Sequence, residues 1–161
     1  NTGMALNLAE SYFRSDMYQD GMKICANISS LNADKYAEAI AEAQAKMNMY
    51  TNNEVAKLQM ANDYDGIIAM AEQLDDAAMA QKITMQAYYG KKEFAKMVEV
   101  SEAAIAAQTT DEGRSDISYL LGVAYNELGQ FDKAIAAMKN VTAGGNVENA
   151  AAVIKALTPA E

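Results

Sequence analysis

Residues 117 to 138 read Ile117-Ser118-Tyr119-Leu120-Leu121-Gly122-Val123-Ala124-Tyr125-Asn126-Glu127-Leu128-Gly129-Gln130-Phe131-Asp132-Lys133-Ala134-Ile135-Ala136-Ala137-Met138, and their spacing decides the fold. Ile117, Leu120, Leu121, Ala124, Tyr125 and Leu128 recur every three or four residues and form one stripe of an amphipathic helix. Gly129-Gln130 releases that helix. A second stripe then begins at Phe131 and runs through Ala134, Ile135, Met138 and Val141. Two amphipathic helices joined by so short a turn make an antiparallel hairpin.

Moving outward, the same reading recurs three times. An aromatic residue follows a polar turn, and apolar or small residues stand at +3, +4, +7 and +10 from it. The sets are Tyr18, Gly21, Met22, Cys25, Ile28; Tyr64, Ile67, Ile68, Ala71, Leu74; and Phe94, Met97, Val98, Ser101, Ala104. The turns before them are Ser15-Asp16-Met17, Asn62-Asp63 and Gly90-Lys91-Lys92. A partner helix precedes each: Met4, Leu8 and Tyr12; a thinner Val55, Leu58 and Ala61; and Ala80, Ile83, Ala87 and Tyr88. Hairpins of this size cannot bury both faces alone, and stacking them in a row solves the problem.

Composition agrees with a helical chain. The 161 residues hold 32 alanines and one proline, Pro159, so nothing before it must break a helix. Leu, Ile, Val and Phe reach only 18%, which with a net charge of −9 resembles a disordered chain. The 11 Met and 9 Tyr at helical spacing restore the missing core. The expected fold class is all-α, a right-handed α-solenoid of stacked antiparallel hairpins over a single domain, 1–161. Hairpins are expected at about 2–30, 33–75, 77–107 and 114–142, with a closing helix at about 146–157. The segment Ala33 to Met49 is either an extra helix or an extension of the helix after it; extension is preferred, with a kink at Asn52-Asn53, because an odd helix would reverse every later hairpin.

Leu121-Gly122-Val123-Ala124-Tyr125, then Gly129, Phe131, Ala134 and Met138, resembles a tetratricopeptide repeat. The first repeat matches through Leu8-Ala9, Tyr12, Tyr18 and Gly21, and the third through Tyr88, Phe94 and Ala104. Ala9, Gly122 and Ala134 stand where backbones of that family approach closely; Val55, Ile67 and Met85 are larger and depart from it. The aromatics lie 46, 30 and 37 residues apart, against a family period of 34. The resemblance implies a concave groove lined by the first helix of each hairpin. Its positions here are Leu6, Glu10 and Phe13; Asn52, Gln59 and Met60; Lys82, Gln86 and Tyr89; and Tyr119, Val123 and Asn126. Only Lys82 is basic among the central ones, which disfavours a clamp for a C-terminal carboxylate.

The expected function is therefore a non-enzymatic scaffold that binds a protein or peptide in this groove. The alternative is a structural spacer or oligomerisation segment of a longer protein. No catalytic residue, metal or cofactor is expected: histidine is absent, no Ser-x-x-Lys occurs, and the acids Asp63/Asp65 and Asp75/Asp76 read as turn and cap carboxylates. A chain of charge −9 repels phosphate, so nucleic acid is not an expected partner. No apolar run approaches 18 residues, so no membrane insertion is expected. Cys25 lies alone on an apolar stripe and is expected to be buried. The chain begins at Asn1 without a leader, which fits a processed secretory protein, a trimmed chain and a fragment equally. Localisation stays open between the cytoplasm and export after leader removal.

Overall fold

The computed structural model describes residues 1–160. Among them are nine α-helices and no strand: α1 Thr2–Arg14, α2 Tyr18–Ser29, α3 Ala37–Met60, α4 Tyr64–Glu72, α5 Ala77–Gly90, α6 Phe94–Ala107, α7 Asp111–Glu127, α8 Phe131–Met138 and α9 Val147–Leu157. The expected all-α class is what the chain adopts. It forms two compact units, Asn1–Ala61 and Asn62–Glu161, and the division falls within the span expected for the second hairpin, about 33–75. No helix among the described residues is long and apolar enough to cross a membrane.

The four repeat aromatics each open a helix: Tyr18, Tyr64, Phe94 and Phe131 are the first residues of α2, α4, α6 and α8. Two positions before each, the backbone is left-handed, with φ of 61° at Asp16, 55° at Asn62, 59° at Lys92 and 74° at Gly129. At three of the four, the next amide donates back across the turn: Met17 N to Tyr12 O, Glu93 N to Tyr88 O and Gln130 N to Tyr125 O, each 2.9 Å. That bond closes a Schellman turn. Only one of the four positions is glycine, and a lysine held there costs about 1–2 kcal/mol of backbone strain.

In unit 1, α1 packs through Leu6, Ala9 and Phe13, α2 through Tyr18, Gly21, Cys25 and Ile28, and α3 through Ala43, Thr51 and Val55. The inward stripe expected on α1 is corrected. Met4 is 71% exposed and Leu8 also faces water, while Leu6 and Phe13 turn inward. The missing side chain of Gly21 gives the reason: a Cβ there would lie 2.6 Å from the Phe13 ring, so the ring seats directly against the α2 backbone. The Tyr18 hydroxyl and Thr51 Oγ1 share a buried hydrogen bond of 2.6 Å between α2 and α3. Of segment 33–49, residues 37–49 form the extension, since α3 is one helix of 24 residues running unbroken through Asn52 and Asn53. Cys25 is fully buried, and burial pushes its thiol pKa up.

In unit 2, each helix packs on its neighbours in sequence from α4 to α9, and α5 also touches α7. The main cluster joins Met85, Met97, Ala104, Ile117 and Ala124, with Tyr88, Phe94 and Leu120 packed around it. A second cluster of Met138, Val141 and Ala150 gathers Val153 and Ile154 from α9. A Cβ on Gly122 would lie 2.7 Å from Met138, so α7 and α8 approach closely where the sequence places a glycine. Ser115, buried on α7, accepts from the amides of Thr142 (3.1 Å) and Ala143 (3.2 Å) and so ties down the loop leading to α9.

Candidate functional site

The expected groove residues of unit 2 come from two helices with the same internal spacing. Lys82, Gln86 and Tyr89 stand at i, i+4 and i+7 on α5, and Tyr119, Val123 and Asn126 do so on α7. Side chains so spaced share a helix face, and these two helices touch. The Lys82 ammonium donates to Asp116 Oδ2 at 2.7 Å across that contact. Asp116 Oδ1 in turn accepts from Asn146 Nδ2 at 3.3 Å, at the start of α9. Lys82 is thus committed to its own fold. Asp116 was not among the expected residues, although it lies 34 positions after Lys82, one period of the resembled family.

Gln86 and Asn126 are half-buried, with polar ends suited to peptide recognition. Tyr89 is 46% exposed and meets Phe94 edge-on at 6.1 Å between ring centroids. Tyr119 and Val123 are engaged by their own fold. Both are half-buried against the Met138, Val141 and Ala150 cluster, so Tyr119, expected as a groove residue, packs on its own fold.

In unit 1, Leu6 and Phe13 are buried in the helix packing, and Phe13 stacks on Tyr50 at 4.2 Å with planes 9° apart. Asn52, Gln59 and Met60 on α3 are exposed, Met60 at 87%. Glu10 joins two helices. It accepts from Lys46 Nζ at 2.8 Å and Tyr50 Oη at 2.5 Å on α3, and from Arg14 Nε at 3.0 Å on its own helix. The Lys46 hydrogen bond, followed by that of Tyr50, holds the Glu10 carboxyl at about 2, well below its ordinary 4.5. Its stabilising contribution is complete above pH 4.5 and is lost as pH falls from there towards 2. With allowance for solvent screening it amounts to about 1 kcal/mol. Urea titrations at stepped pH should show this acid limb in the parent protein and a flatter one in Glu10→Gln.

Of the acids expected at turns and caps, Asp63, Asp65 and Asp76 each have a partner. Asp63 accepts from Gly66 N and Asp76 from Met79 N, capping α4 and α5, while Asp65 pairs with Lys91 at 2.6 Å. Among the described residues no three His, Cys, Asp or Glu side chains converge as a metal site. Comparison with family models, with curated proteins and with solved structures found no match.

Proposed function

We propose that the chain is a helical-repeat scaffold of tetratricopeptide type, a right-handed stack of hairpins that binds a protein or peptide segment and catalyses no reaction. The observation that carries this reading is the recurrence of one turn, a left-handed residue two places before Tyr18, Tyr64, Phe94 and Phe131. It gives the sequence repeat a structural counterpart. Binding is supported by what the α5–α7 face leaves uncommitted: the exposed Tyr89, with the amides of Gln86 and Asn126. Large aromatic surface beside amides is suited to holding a peptide. The partner is a neutral or basic segment, given the net charge of −9.

Tyr89→Ala is expected to weaken partner binding by about 2 kcal/mol while shifting stability by no more than about 0.5 kcal/mol. Tyr119→Ala should lower stability through its lost contacts with the C-terminal cluster. Thermal melting and retention of partners from the native cell, compared between the two variants and the parent, test this. Unchanged retention by Tyr89→Ala would remove the α5–α7 face as the binding surface. One observation favours the spacer reading: the Lys82–Asp116 pair occupies the charged part of this face internally.

A further inference from the structure

Unit 1 contains a cleft of about 190 Å³ between the α1–α2 turn and α3. We propose that it is a socket for a single arginine side chain presented by a partner protein. The inference does not depend on the α5–α7 face, and none of the cleft's polar lining residues belongs to the groove expected from the sequence.

Size sets the first limit. Pockets for whole small molecules run to roughly 300–1,000 Å³, so this cleft suits one side chain. Its aromatic lining is Phe13, Tyr18 and Tyr50. Phe13 and Tyr50 are locked by their mutual stacking, and Tyr18 by its hydrogen bond to Thr51, so the walls are set before any ligand arrives. Phe13 and Tyr18 are buried, so Tyr50, half-buried, is the ring that can meet a planar guanidinium.

Charge sets the second limit. The ionised side chains of the lining are Asp16 and Glu54 against Lys57, a net −1. Lys57 Nζ donates to Asp16 Oδ1 at 2.7 Å and joins the two sides of the cleft. The Glu54 carboxylate has no ion-pair partner among the described residues. Lys57 therefore acts as an internal stand-in for a cationic ligand at one carboxylate, and the other remains open to a fork of N–H donors. An incoming guanidinium pairs with Glu54 and competes with Lys57 for Asp16.

The test is an NMR titration of the whole chain with N-acetylarginine methylamide and, separately, with its neutral citrulline analogue. Amide shifts confined to residues 13–18 and 50–57, at least about threefold weaker with citrulline, are expected. Glu54→Gln should weaken the arginine response about threefold, and Lys57→Met should strengthen it by a similar factor. Equal responses to the two probes, shifts spread over the acidic surface, or an unchanged response in Glu54→Gln would each overturn the proposal. Weakening by Lys57→Met would also overturn it, because Lys57 would then build the site instead of filling it. Should Glu54→Gln fail to fold, the comparison of probes on the parent protein decides alone.

Discussion

Ile117→Ala is expected to destabilise unit 2 by about 2–5 kcal/mol, whereas Met4→Ala should change the stability of unit 1 by no more than about 0.5 kcal/mol. The two residues hold the same place in their repeats, four positions before Leu121 and Leu8. Their environments are opposite. Ile117 is 0% exposed and sits among Met85, Met97 and Ala104, on a helix that both α6 and α8 pack against. Removing its side chain leaves a void lined by long Met side chains, whose flexibility places the loss towards the lower part of that range. Met4 projects into water. Urea unfolding of both variants measures the contrast; a comparable loss at Met4 would mean that α1 is covered in solution.

Ending the chain at Ala143 should lower the melting temperature by several degrees and reduce solubility. Without α9, Met138 and Val141 lose Ala150, Val153 and Ile154 from their cluster. Fully burying one Val or Ile side chain contributes about 1.5–3 kcal/mol, so the two half-buried ones, Val153 and Ile154, together amount to about 1.5–3 kcal/mol. In a protein of this size each kcal/mol shifts the melting temperature by about 2–4 °C. The shortened chain keeps the Ser115 bonds to Thr142 and Ala143 but loses the Asn146 bond to Asp116. An unchanged melting temperature would show that α9 contributes no packing.

Helix spacing was legible because the apolar residues recur with the helical period and proline is absent before position 159. The aromatics at 18, 64, 94 and 131 located four helix starts to the residue. The direction in which α1 faces was not legible. Leu6, Ala9 and Phe13 form as good a stripe as Met4, Leu8 and Tyr12, and only the seat of Phe13 against Gly21 separates them. The site suffered for the same reason: a position given by a repeat pattern says which face a side chain lies on, but not whether its own fold has already engaged it. Glu10, held by Lys46, Tyr50 and Arg14, and Tyr119, packed on the C-terminal cluster, are both engaged. Lys82 and Asp116 could have been paired in advance, since complementary charges one repeat apart on neighbouring helices are a readable signal.

The order in which helices pack also bears on how fast the protein assembles. In both units the most extensive contacts join consecutive helices, α1 with α2 and α2 with α3, then α4 with α5 and onward to α9. Contacts between near neighbours along the chain close short loops, and the entropic cost of loop closure grows with loop length. A topology of low contact order folds quickly, on a scale of about microseconds to milliseconds. With two compact units, Asn1–Ala61 and Asn62–Glu161, assembly has two places in which to nucleate. The same locality limits how far damage spreads: a lesion in one interface loosens the helices beside it before it reaches the rest, so opening proceeds in pieces and hydrogen exchange along the chain is graded instead of uniform.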